Sequence, residues 1–473
     1  MMKCNIPNRV SWTTTSLEEV IFRQETANKI AKVMDVMLKL LKPLISDLPD
    51  YRDPRYIKYP KEALFLYGIM MFSMKASTRR EANRFMTDPI MQENLRTIIP
   101  GLDAVAHNDT LANFLDSLDP EIIQEIYRKL IKKLLRNKEF KRLAGRLIVL
   151  VDGSGKGSRD WKYSDRALHR DTQEGEIYLT YVLDAVLVLE NGMVIPLCTE
   201  FLENTGEVFD KQDCETKAWN RMAPKLNKLV GNGAMVIFDG LYASGPVIVQ
   251  CRKYGWDYII VLKAGSMPSF TEEAHGLMDC EPSNRAERTV DGRHQVVRWA
   301  NNVEHMISGN HKYIYLNVVT MEESWTESHT IKKTGPEEKR VIYQWISSIP
   351  LNKDNVWNIC SLGRNRWLVE INFKTEKHSG YGFGHYFSYN WDLNKAYHYL
   401  MKFGHFINVM LMSSCGLTEL VSSLGGISGF LAKVKLIFSG AVLDADSIRA
   451  AVLEPRRWTL STTSIYEIVT PPT

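Results

Sequence analysis

Two aspartates stand in equivalent settings. Leu147 to Val151 is a short apolar run that ends in Asp152-Gly153, and Ala234 to Phe238 is another that ends in Asp239-Gly240. That is the grammar of a buried strand stopping at a polar turn. In open α/β sheets, ligands gather outside the carboxyl ends of the strands. If the two strands are neighbours, their carboxylates lie side by side. Two such anions repel strongly in a low-dielectric cleft unless cations or protons intervene. Hard divalent cations with oxygen ligands meet that need, Mg2+ above all. The plainer alternative is that Asp-Gly ends each strand because it turns well.

A third acid lies in Arg366-Trp-Leu-Val-Glu370-Ile-Asn-Phe-Lys-Thr-Glu-Lys377. On a helix, the offsets of four and seven residues bring Arg366, Glu370 and Lys377 onto one face. A surface ion-pair ladder has the same spacing and contributes little. No Ser-His or Cys-His couple stands in a convincing context.

The elements that must position these acids are legible around them. Tyr181 to Glu190, a two-residue turn at Asn191-Gly192 and Met193 to Phe201 read as a hairpin. A helix from about Cys214 to Leu229 follows, with Ala218, Met222, Leu226 and Leu229 on one side. Pro246 to Lys253 is predicted helical, and Tyr258 to Leu262 is another buried strand. The order is β-β-β-α-β-α-β, an α/β pattern. A long interruption follows, in which Arg288 to Val303, Lys312 to Thr320 and Arg340 to Ile349 look strand-like, a β-rich insertion. Helix returns near Gly363, and Trp391 to Met412 is long and apolar. Upstream, Ile30, Val33, Met34, Met37, Leu38 and Leu41 recur at helical spacing until Pro43. Leu111, Phe114, Leu115 and Leu118 repeat that pattern.

Composition narrows the class. With 473 residues, 45% hydrophobic and 24% charged, the chain reads as a soluble globular protein of several domains. A net charge of +4 does not by itself point to a polyanion. The distribution says more, because Arg128, Lys129, Lys132, Lys133, Arg136, Lys138, Lys141, Arg142 and Arg146 crowd one stretch. Such a run is usually a solvated helix face; beside a DNA-processing centre it becomes a phosphate-binding surface. The seven cysteines are scattered without a CxxC pair, which excludes a zinc knuckle or disulfide framework and suits a reducing compartment. The longest apolar run, Ala63 to Met74, is too short to span a bilayer and is expected to be a buried helix. Without a signal-peptide core, the expectation is an intracellular protein.

Taken together, these residues resemble the DDE transposases of bacterial insertion sequences. The most similar branch carries a Tyr-x2-Arg-x3-Glu-x6-Lys signature, and Arg366, Glu370 and Lys377 meet its last three positions. Its tyrosine position falls on Gly363, a departure from the pattern. Val151-Asp152-Gly153 is similar to the family's first-aspartate strand, and Ile237-Phe238-Asp239-Gly240-Leu241-Tyr242-Ala243 to its second. Lys211-Gln212-Asp213-Cys214-Glu215, Tyr258 to Lys263 and His378-Ser379-Gly380-Tyr381-Gly382 add to the likeness, which spans about residues 60 to 410.

The resemblance implies a ribonuclease-H-like core with the first and fourth strands adjacent, the glutamate on a later helix and a β-rich insertion before it. It implies that Asp152, Asp239 and Glu370 hold two Mg2+ ions, with Mn2+ able to substitute. It also implies cleavage at transposon ends and transfer of the 3′-hydroxyl into target DNA. Arg366, Lys377, Lys263, Lys211 and Trp299 become candidate DNA contacts, with Trp325 a second candidate for stacking an unpaired base and Glu215 a further polar candidate; for both tryptophans a core or hairpin-packing role is the stronger reading. His378 and His385 suit DNA-contact or structural roles better than zinc. The expected domains are a helical, DNA-end-binding 1–145, a core begun at 146–268 and completed at 351–455, an insertion at 269–350 and a frayed tail at 456–473. Expected partners are the terminal inverted repeats and target DNA, with a homodimer in the complex, acting in a bacterial cytoplasm at the nucleoid. A nuclease of the same core without strand transfer and a silent DNA-binding relic are the alternatives.

Overall fold

The computed structural model describes residues 16–99, 101–140, 142–143, 145–205, 211–307, 312–327, 337–415, 417–424, 426–446, 448, 450 and 460–462. Lys141 and nearly all of the expected tail at 456–473 lie outside the described residues. In chain order, α1 (Ser16–Ile45), α2 (Lys61–Ser73), α3 (Arg79–Phe85), α4 (Pro89–Ile98), α5 (Asn108–Asp116) and α6 (Pro120–Arg136) come first. Then follow β1 (Leu147–Arg159), β2 (Leu168–Thr172), β3 (Gly175–Val188), β4 (Val194–Leu202) and α7 (Glu215–Val230). Next are β5 (Ala234–Phe238), α8 (Gly245–Tyr254), β6 (Asp257–Val261) and α9 (Pro268–Cys280). The strands end with β7 (Arg285–Val290), β8 (Arg293–Ile307), β9 (Lys312–Glu327) and β10 (Glu337–Ser347). The last helices are α10 (Val356–Arg364), α11 (Trp367–His378), α12 (Trp391–Ser413), α13 (Thr418–Ser423) and α14 (Gly426–Gly440).

The chain divides into two compact units, Met1–Leu130 with His378–Thr473, and Ile131–Lys377. The helices after His378 therefore share a unit with the N-terminal helices, whereas the sequence pattern grouped them with the strands.

The first unit is helical. The apolar run at Ala63 to Met74 forms α2, buried from Ala63 to Ser73, and no helix among the described residues is long and apolar enough to cross a membrane. Buried on every side, α2 packs against α12. A Cβ at Gly404 would stand 2.6 Å from that of Phe72, so glycine is what lets the two helices approach. Asn408 fastens the contact by donating to the Ser73 carbonyl at 3.0 Å. Pro43 does not end α1 as its type suggested; it sits within the last turn, two residues before Ile45.

The second unit is built on a mixed sheet of ten strands, ordered β2-β3-β1-β5-β6-β10-β9-β8-β7 with β4 on β3. β1 and β5 are parallel neighbours, as are β5 and β6, and their apolar residues are buried on both faces. Helices α7 and α8 make the crossovers that parallel strands require. The β3–β4 hairpin is closed by three residues, not two: Leu189 pairs with Met193 at 2.7 Å, and Gly192 takes the left-handed position at φ 81°. The short exposed β2 was not foreseen. The inserted strands do not stand apart as a separate layer. β10 pairs antiparallel with β6, Trp345 opposite Val261, so the insertion extends the same sheet.

Candidate metal centre

Register places the two aspartates. The β1–β5 ladder runs from Leu147 opposite Ala234 to Val151 opposite Phe238, and Asp152 and Asp239 are the next residue on each strand. Neighbouring strands lie about 4.8 Å apart. β5 stops there, and Asp239 opens a short turn of 3-10 helix at Gly240–Tyr242. β1 does not stop. It continues through Gly153 to Arg159 against β3, so the expected Asp-Gly turn at this position is absent.

What the glycines permit is close approach. A Cβ at Gly153 would lie 2.6 Å from the carboxyl carbon of Glu215 and 2.7 Å from the Tyr181 ring. One at Gly240 would lie 2.6 Å from Cγ of Lys263. Each aspartate is thus followed by a residue small enough to let a charged side chain settle against the strand end.

Glu370 enters from the first turn of α11. Arg366 precedes that helix and ties it to β1: Nη1 lies 3.3 Å from Asp152 Oδ2 and Nη2 lies 2.5 Å from Glu370 Oε1. Lys263 donates to Asp239 Oδ2 at 2.7 Å. Lys377, at the other end of α11, donates to Ser154 Oγ at 2.7 Å, two residues past Asp152. Helical spacing had put Arg366, Glu370 and Lys377 on one face; that face is turned toward β1.

Glu215 ranked below the other acids in the sequence pattern, yet it reaches the same strand end. At the start of α7, it accepts from the Tyr181 hydroxyl on Oε1 and the Tyr242 hydroxyl on Oε2, both at 2.9 Å. Burial, and then the Glu215 charge, raise the pKa of both phenols, so they remain donors. In the sequence its signal is the Lys211-Gln212-Asp213-Cys214-Glu215 stretch, which leads into the helix that Glu215 opens.

The electrostatics separate the two aspartates. Burial pushes Asp152 up to about 6; Arg366 and the Gly153 N–H oppose this, while Glu215 and Asp239 add to it. Burial would also raise Asp239, but the Lys263 hydrogen bond, the Gly240 N–H and Arg366 together hold it below the usual carboxylate range. Burial lowers Lys377.

Four carboxylates, Asp152, Asp239, Glu370 and Glu215, face three cations here, Arg366, Lys263 and Lys377, a donor set of hard oxygens with surplus negative charge, and this is the chemistry that Mg2+ or Mn2+ accepts. Burial is the main reason that Asp152 is raised, and the charges of Glu215 and Asp239 add to it. Among the described residues, no three acidic, His or Cys side chains already close around one point. Arg366 bonds to both Asp152 and Glu370 instead.

The remaining candidates scatter. Lys211 is exposed on the loop before α7, where its carbonyl accepts from Lys217 at 3.1 Å. Trp299 is 2% exposed within β8 and offers no face to a base; its indole is core, the stronger of its two sequence readings. Trp325 is partly buried, with the Arg293 guanidinium 4.2 Å from its ring centre. His378 and His385 belong to the helical unit. Gly363 has a physical reason to depart from tyrosine: a Cβ there would lie 2.5 Å from Nε1 of Trp345.

Residues 205–404 match the family model of the transposase DDE domain. The matched stretch contains Asp239, Arg366, Glu370 and Lys377 and begins after Asp152. The match covers less than half of the chain and supports a DDE transposase domain within it. No curated protein matches the chain.

Proposed function

We propose that this chain is a metal-dependent transposase that cuts DNA at transposon ends and joins the freed 3′-hydroxyl to target DNA, with Asp152, Asp239 and Glu370 holding two Mg2+ ions. The observation that carries the reading is the shared register of Asp152 and Asp239, with Glu370 brought to them through Arg366. The strand order β4-β3-β1-β5-β6, with β1 and β5 parallel and the glutamate on a later helix, supports a ribonuclease-H-like core. The Arg-Glu-Lys spacing supports the Tyr-Arg-Glu-Lys branch, with Gly363 as its one departure.

When bound, the two ions, for which Mn2+ would substitute, supply an activated water and charge stabilisation on the leaving oxygen. The protein's part is positioning. Asp152, within β1, and Asp239, at the end of β5, present carboxylates from neighbouring strands, and Glu370 closes the set from α11. Arg366 offers a planar fork to a phosphate, whereas Lys263 and Lys377 offer point charges. Exposed Lys211 remains a DNA contact farther out. Glu215, clamped by two phenols, keeps negative charge behind Asp152 and disfavours any drift of that carboxylate toward α7. Work on two DNA ends calls for two copies in the complex, and the setting is the nucleoid of a bacterial cytoplasm.

The test is incubation of the full chain with Mg2+, DNA carrying the element's ends, and a target plasmid. Cleaved ends and joined products are expected from the parent. D152A, D239A and E370A should bind the ends and make neither product. Cleavage without joining would favour the nuclease alternative, and binding without cleavage the silent relic.

A further inference from the structure

The sheet unit carries a second charged concavity, at the N-terminal end of β1 and five residues before Asp152. It is a cleft of about 840 Å3 between the last turn of α6, the chain that follows it and the C-terminal turn of α7. Lys132, Arg136, Lys138, Arg142 and Lys228 line it, and among the described residues no carboxylate does. None of the five forms an ion pair among the described residues.

Helix capping accounts for only part of this charge. Two helices end at the cleft, and each end carries roughly half a negative charge, so together they call for about one cation. Five are present. The surplus repels itself unless an anion arrives.

The backbone holds two of the cations in place. Lys138 has φ 58°, in the left-handed region where Gly or Asn usually ends a helix. The strain of keeping lysine there is the kind that marks a functional position. Arg142 donates to the Gly233 carbonyl at 3.1 Å, and a Cβ at Gly233 would stand 2.2 Å from its Nη1, so a side chain there would displace the guanidinium.

We infer that this cleft binds the sugar-phosphate backbone of duplex DNA, at a stretch distinct from the reacting bond; this rests on the reading of the chain as a DNA-processing enzyme. Leu147 lines the cleft and begins β1, and five residues at about 3.3 Å each separate it from Asp152, roughly 17 Å. That is about five base-pair steps, too far for a cleft cation to serve the phosphate at the acids. Lysine and arginine only donate, so the cleft recognises phosphate charge and carries no acceptor for base donors. Five cations spread over two helix ends and a loop suit a chain of phosphates better than a single one.

The test is fluorescence anisotropy of the full chain on a mixed-sequence duplex of roughly 40 base pairs, across about 50 to 300 mM KCl. K138G removes a cation and relieves the left-handed strain, so loss of folding cannot explain its effect. It is expected to keep or raise thermal stability, weaken binding, and make the log–log salt slope less negative by about 0.9. K132Q/R136Q should change the slope by about twice as much. Parental slopes in both variants would overturn the proposal. If the parent bound the duplex and only the variants' slopes were unchanged, the cleft alone would fall; if the parent bound no duplex, the DNA-processing reading would fall too. Stabilisation of the parent, but not of K138G, by inorganic triphosphate, with the DNA slope unchanged, would assign the cleft to a free polyphosphate and overturn the DNA assignment.

Discussion

Arg366 reaches back 214 positions to Asp152, its Nη1 3.3 Å from the carboxylate. The same guanidinium holds Glu370 one turn along its own helix. One cation thus balances two acids that arrive on different elements. Arg366→Ala leaves both without it and is expected to cost the metal-free protein about 1–2 kcal/mol, less than a fully buried pair because the site is partly solvated. Mg2+ should then restore more stability to the variant than it adds to the parent. Urea unfolding with and without Mg2+ measures both; an equal Mg2+ effect in the two proteins would separate Arg366 from the metal site.

Asp152 as a metal ligand, the role proposed for it, makes metal binding depend on pH. Its pKa of about 6 lies above the ordinary 3.8, so the folded, metal-free protein is favoured by the protonated carboxyl at low pH. That contribution is lost as pH rises through about 6. A divalent cation needs the ionised form, so Mg2+ should raise Tm more near pH 7.5 than near pH 5. D152N should melt higher than the parent near pH 7.5 without metal and should show no Mg2+ shift. A Mg2+ shift of equal size at both pH values would contradict the coupling.

Gly153 and Glu215 are expected to be energetically coupled. G153A forces a methyl against the Glu215 carboxyl and should destabilise by about 1–3 kcal/mol. Truncating Glu215 should recover part of that loss, the contact with the Tyr181 ring remaining, and a double-mutant cycle would read that part as a coupling energy. E215Q, keeping the shape, should fold normally yet bind Mn2+ about 10-fold more weakly, the scale of effects from groups behind metal ligands. Additive losses in the cycle would mean that the close approach does not persist in solution.

Trp299 should behave as core. W299A is expected to cost about 3–5 kcal/mol, whereas W299F should retain DNA affinity. A stable W299A with selectively weakened DNA binding would return the indole to the DNA surface.

How much of this was legible depends on distance along the chain. Asp152, Asp239 and Glu370 stand out because local pattern carries them, as apolar runs ending in acid and as a four-then-seven helical spacing. Their meeting is a matter of register between β1 and β5, which local sequence cannot state. Gly153 misled for a clear reason. Asp-Gly is a good turn, but here the glycine makes room for Glu215, a residue 62 positions away, and the strand runs on. Trp299 could not be assigned because alternation along β8 does not say which face the rest of the fold covers. The helices after His378 were grouped by chain continuity with the strands, while their apolar faces are satisfied by α2 and its neighbours.

The decisive observation is an anomalous difference map from crystals of the full chain soaked in Mn2+. Peaks are expected at about 2.1 Å from carboxylate oxygens of Asp152, Asp239 and Glu370, with Arg366 withdrawn from at least one acid. Manganese bound only elsewhere, or these three carboxylates left without metal at saturating Mn2+, would contradict a shared centre.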